Sequence, residues 1–109
     1  MQPEVLLGNF MSGNPLEVYR EIDPKIIEQY ENLAKLAYSE GALPAKFKLL
    51  IAMAIDAENG APEGAIILGK RAQKAGATKE EIIETLRVAY QIGGAGAIFT
   101  SAQVLKALF

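Results

Sequence analysis

The 109-residue chain contains no cysteine, no histidine and no tryptophan. Without cysteine there are no disulfides, no thiol catalysis and no thiolate metal sites. Without histidine there is no imidazole ligand and no catalytic triad that depends on an imidazole base. Long apolar runs are also missing. The longest, Leu49 to Ile55, has seven residues, against the roughly 20 that a membrane-spanning helix needs. The first residues, Met1-Gln2-Pro3-Glu4, lack the basic start and apolar core of a secretion signal. These features point to a cytoplasmic protein that does not enter a membrane.

Charge of one sign is also scarce. The net charge is −2, from 11 basic and 13 acidic side chains. Residues 1–45 hold three basic and seven acidic groups, and residues 46–109 hold eight and six. Neither half forms a basic stripe able to neutralise many phosphates, so nucleic acid is not an expected partner. Half of the residues are apolar, and the length suits a single domain spanning 1–109.

The breakers fall at regular places, and the segments between them have helical length and period. Residues 1–13 read as an N-terminal arm. Val5, Leu6, Leu7, Phe10 and Met11 are too apolar for a free tail, so the arm is expected to dock. Asn14-Pro15 starts a short helix to about Glu21, and Asp23-Pro24 starts a longer one over 24–39. In the latter, Ile26, Ile27, Tyr30, Leu33, Ala34 and Ala37 fall near one face. A third helix, 44–59, is apolar almost all round from Leu49 to Ala57, which predicts burial on every side. A chain this small has difficulty burying such a helix alone, so an oligomer is expected.

Asn59-Gly60 stops that helix. Pro62 opens the next, about 62–75, with Ala61, Ala65, Leu68, Ala72 and Ala75 as its stripe and Gly76 as the residue that ends it. Thr78-Lys79-Glu80-Glu81 reads as a capping box for a helix to about Ile92, with Ile82, Leu86, Ala89 and Gly93 at core spacing. After Gly93, Gly94 and Gly96, a final helix carries Ile98, Ala102, Leu105 and Phe109 on one side. No stretch alternates with period two. The fold class is all-α, with five to six helices.

Few residues suggest chemistry. The glycine cluster 93–96 follows a helix rather than a strand and lacks the Gly-Lys-Ser/Thr ending of a phosphate loop, so it reads as a helix junction. Asp56, Glu58 and Glu63 form an acid group near a helix boundary; Glu58 and Glu63 are the candidate acid or base. The three read chiefly as caps and solvated ends, and no metal is expected. A ferritin-like di-metal centre needs Glu-x-x-His half-sites that the chain does not have. Lys70, Arg71 and Lys74 complement the C-terminal dipole of their helix.

The run Leu43-Pro44-Ala45-Lys46-Phe47-Lys48-Leu49-Leu50-Ile51-Ala52-Met53-Ala54 and the segment Gly76-Ala77-Thr78-Lys79-Glu80-Glu81-Ile82-Ile83-Glu84 resemble the carboxymuconolactone decarboxylase and AhpD-like (alkylhydroperoxidase) family. The resemblance covers roughly residues 28–108. It implies an AhpD-like helical bundle assembled as a trimer or hexamer. The family's peroxidase chemistry uses a Glu, a Cys-x-x-Cys at a helix start and a His. A helix N-terminus lowers the thiol pKa, and the second thiol resolves the oxidised first. The corresponding positions here are Leu49, Ala61, Gly64 and Leu68, so the resemblance carries over no catalytic residue, and peroxidase activity is expected to be absent.

Three functions follow as expectations. The first is an oligomeric, cofactor-free member that binds a small apolar molecule around Leu49, Ala61, Gly64 and Leu68 or serves a structural role. The second is a cofactor-free decarboxylase or lactone-acting enzyme that binds an anionic ligand through Lys46, Lys48, Lys70, Arg71 and Arg87. The third is a partner subunit in a mixed oligomer with a cysteine-bearing relative.

Overall fold

A computed structural model of the chain describes residues 15–109; the N-terminal arm lies outside them. The described residues hold six α-helices and no strand, as the sequence periodicity predicts. A 3-10 turn, Pro15–Val18, leads into α1 (Tyr19–Ile22) and α2 (Pro24–Tyr38). Then come α3 (Ala45–Glu58), α4 (Pro62–Lys74), α5 (Lys79–Gly93) and α6 (Ala95–Leu108). The described residues divide into two compact units, one ending at Ala45 and the other running from Lys46 to Phe109.

In the first unit Asp23 caps α2, its carboxylate accepting from Ile26 N–H at 3.3 Å, with Pro24 as the first helical residue. Arg20 of α1 reaches Glu31 of α2 at 3.1 Å. The face expected for α2 is only partly correct. Ile27 and Ala34 are buried, but Ile26, Leu33 and Ala37 are exposed. Ile26 and Ile27 leave a helix about 100° apart, so the six residues formed two stripes rather than one.

In the second unit the helix ends follow local rules. α3 ends in a Schellman motif: Gly60, at φ +73°, donates to Ala57 C=O, and Ala61 N–H donates to Asp56 C=O at 2.8 Å. α4 ends the same way, with Gly76 at φ +101° donating to Gln73 C=O and Ala77 to Ala72 C=O. Thr78 and Glu81 form the full capping box at the start of α5. Glu81 N–H donates to Thr78 Oγ1 at 3.1 Å, and Thr78 N–H donates to Glu81 Oε1 at 2.9 Å.

The core of this unit lies where α6 packs on α4 and α5. Leu49, Met53, Ala65, Leu68, Ala72, Ile82, Leu86, Ala97 and Val104 are buried there. Small residues let the helices approach. A Cβ placed on Gly69 of α4 would stand 2.8 Å from Leu108 of α6 and 3.2 Å from Met53 Sδ of α3.

One expectation for this unit changes. α6 buries Ala97, Thr100, Ser101 and Val104, while Ile98, Ala102 and Phe109 are exposed and Leu105 is half-buried. The expected stripe followed the largest side chains; the observed face follows the smaller ones, which permit close packing on α4 and α5. α3, whose full burial is expected only in an oligomer, is buried on one side within the single chain. Leu49, Leu50, Met53 and Ala57 are buried, but Phe47, Ile51 and Ile55 remain about half exposed.

Candidate functional site

The positions matched to the family's redox residues all lie on α3 and α4. Leu49 and Leu68 are buried and fill space in the core. Ala61, the N-cap of α4, makes no side-chain capping bond, and it and Gly64 are half-buried. The space beside Gly64 is taken. A Cβ on Gly64 would overlap Asp56 Oδ2, so the Asp56 carboxylate sits where a side chain at position 64 would go. The Schellman turn after α3 produces this seat, because it folds the chain back so that the last turn of α3 faces the first turn of α4. Burial pushes the Asp56 carboxyl above its ordinary 3.8. The sequence reading saw Asp56 only as part of an acid group, and nothing local in the sequence announces that it packs on Gly64.

Glu58 and Glu63, the candidate acid and base, are both exposed. The Glu58 side chain lies over Gly93 of α5, where a Cβ would meet its Cγ at 2.8 Å. Among the described residues no three acidic side chains gather as a metal site.

The cations expected to hold an anion stand in different surroundings. Lys46 Nζ is engaged by Glu81 Oε2 at 3.1 Å. That contact and, more strongly, the hydrogen bond from Thr78 N–H hold the Glu81 carboxyl below its ordinary 4.5. Arg71 is buried in α4, whereas Lys70 beside it and Arg87 on α5 are exposed. Consecutive helical residues diverge by about 100°, so Lys70 and Arg71 do not converge.

A second feature was not singled out from the sequence. Between α3 and α5 runs an open groove of about 550 Å³, walled by Phe47, Ile51 and Ile55 on one side and Glu84, Thr85 and Val88 on the other. None of Leu49, Ala61, Gly64 and Leu68 lines it. The apolar run Leu49 to Ile55 was the only sequence signal of it. No helix among the described residues is long and apolar enough to cross a membrane.

The chain is similar to a sequence relative and to a solved structure. The uncharacterized protein H16_B0147 of Cupriavidus necator is 29% identical over 82 residues, covering 74% of this chain and 73% of its own length. The crystal structure of apo-lpg0406, a carboxymuconolactone decarboxylase family protein from Legionella pneumophila, superposes with a TM-score of 0.80 at 30% identity, covering 96% of this chain and 92% of that one. The model of the carboxymuconolactone decarboxylase family matches residues 24–107, and the chain belongs to that family.

Proposed function

We propose that this chain is a thiol-free member of its family that self-associates and holds a small, mostly apolar molecule beside Ala61 and Gly64, within reach of Asp56. One observation carries the reading. The chain has no thiol or imidazole, and the place next to Gly64 is occupied by the Asp56 carboxylate. Peroxide reduction through a thiol is closed to such a chain, whereas a half-buried carboxyl seated on Gly64 suits an apolar ligand with one hydrogen-bonding group. The half-exposed side of α3 supports self-association. A decarboxylase reading draws less support, because Lys46 is held by Glu81 and Arg71 is buried away from the exposed Lys70. The mixed-oligomer reading rested on the arm, which lies outside the described residues.

The test is a thermal-shift panel of small cyclic alcohols, ketones and carboxylic acids against the wild type and Gly64→Leu, whose side chain displaces the Asp56 carboxylate from its seat. A ligand at 100 times its Kd stabilises by about 2.7 kcal/mol, and that shift should disappear in Gly64→Leu. If no compound shifts the wild type, or Gly64→Leu responds equally, the binding reading fails and a structural role remains.

A further inference from the structure

The seat beside Gly64 carries charge of one sign. Asp56 lies over Gly64, and Glu58 lies over Gly93 of α5. Glu63 stands in the first turn of α4. Among the described residues the Asp56 carboxylate has neither a hydrogen bond nor an ion pair. Burial lifts its titration, and no cation draws it back down. Lys46 and Lys48 stand at the other end of α3, about 12–15 Å along the helix from Asp56. The helix ends do not alter the sign. The C-terminus of α3 and the N-terminus of α4 meet here with opposite half-charges, which leaves the carboxylates to decide it.

A second unpaired polar group stands at the same level. A Cβ placed on Gly93 would meet Glu58 Cγ at 2.8 Å and Ala97 Cβ at 3.0 Å, so the start of α6 lies beside the end of α3. The far end of α6 lies on α4, with Leu108 against Gly69. α6 therefore begins where α4 begins and runs the same way. Ser101 follows Ala97 by four residues and precedes Leu108 by seven, so the three share one stripe. Seven residues before Gly69 is Pro62, which places Ser101 level with the first turn of α4. Ser101 is only 5% exposed, and its hydroxyl has no hydrogen-bond partner among the described residues.

We infer that the molecule held beside Gly64 is a small apolar amine in its ammonium form. The Asp56 carboxylate and the Ser101 hydroxyl oxygen accept from its N–H groups, and its apolar body lies against Ala61. An ammonium has three donors and no acceptor, so one head group serves both oxygens. An alcohol has one donor. A carboxylate has none, and it meets Asp56 as a like charge. This inference rests on the ligand seat proposed above and names the chemical class that the seat takes.

Titration calorimetry of the full chain at neutral pH tests it, with cyclohexylamine, cyclohexanol and cyclohexanecarboxylate as probes that share a ring and differ in the head group. The amine binds the wild type at least about tenfold tighter than the alcohol, and the carboxylate binds weakest. Asp56→Asn keeps the shape of the side chain without its charge; it cancels the amine's advantage and leaves the alcohol within about twofold. Ser101→Ala weakens the amine about threefold or more, and it carries the test if Asp56→Asn fails to fold by circular dichroism. A merely structural role for either residue would weaken all three probes alike. If the amine binds no tighter than the alcohol, or either variant leaves its affinity unchanged, the ammonium inference falls. The seat still stands in that case if the alcohol or the carboxylate binds the wild type and not Gly64→Leu. If none of the three binds the wild type, both proposals fail.

Discussion

The Asp56 carboxylate occupies the space into which a side chain at Gly64 would project. The two positions are therefore coupled, which a double-mutant cycle can measure. In a helix, alanine is worth up to about 1 kcal/mol over glycine. In the wild type, Gly64→Ala must displace Asp56 Oδ2 and forfeits much of that gain. In an Asp56→Ala background nothing opposes it. Gly64→Ala should be more favourable there by about 1 kcal/mol. Additivity within about 0.3 kcal/mol in urea melts would mean that the carboxylate moves aside without cost.

The same seat sets a pH dependence. Burial raises the Asp56 carboxyl above 3.8, so the folded chain takes up this proton more readily than the unfolded chain. Asp56 therefore costs stability at neutral pH, and the cost fades as pH falls through its folded pKa towards 3.8. Asp56→Asn should be more stable than the wild type at neutral pH, with the difference shrinking on acidification. Glu81 works in the opposite direction. Its carboxyl is held below 4.5, by Thr78 N–H first and Lys46 second. Its contribution is present above 4.5 and is lost as pH falls through the folded value. Glu81→Gln, which keeps an acceptor for Thr78 N–H, should flatten the acid limb. Urea melts at a series of pH values check both slopes, and an Asp56→Asn gain that grows on acidification would contradict this assignment.

What the sequence revealed was what local chemistry determines. Thr78 and Glu81 announce their capping box because its bonds join residues three apart, and Gly60 and Gly76 mark their turns because each adopts positive φ. The missing redox residues were legible at Leu49, Ala61, Gly64 and Leu68 by resemblance alone. The buried face of α6 was not, because Ala97 and Ser101 are chosen by how closely two other helices approach. Nor was the seat of Asp56, which depends on two helices meeting across a turn. The stripe on α3 was visible as an apolar run, but which of its sides stays open depends on the neighbours that the rest of the chain supplies.

The glycines between α5 and α6 separate into two kinds. Gly94 has φ +75° and ψ −153°, a region that essentially only glycine enters. Gly96 lies inside α6 with open space where a Cβ would stand. Gly94→Ala should cost about 1–3 kcal/mol, while Gly96→Ala should gain up to about 1 kcal/mol. Denaturant midpoints for the two variants should move in opposite directions. Equal, small effects would mean that the junction relaxes to another backbone path.

On α6 the adjacent residues Thr100 and Ser101 are both buried, but their hydroxyls differ. Thr100 Oγ1 donates to Gly96 C=O at 3.1 Å. Ser101 Oγ has no hydrogen-bond partner among the described residues. Burying an unsatisfied hydroxyl costs about 1–3 kcal/mol, and alanine is the better helix former. Ser101→Ala should therefore raise stability by about 1 kcal/mol, whereas Thr100→Ala, which loses a hydrogen bond and a buried methyl group, should lower it by about 1–2 kcal/mol. A shift of the urea midpoint at constant slope is the measurement. A loss of stability in Ser101→Ala would show that the Ser101 hydroxyl is bonded in solution and that α6 packs differently around it.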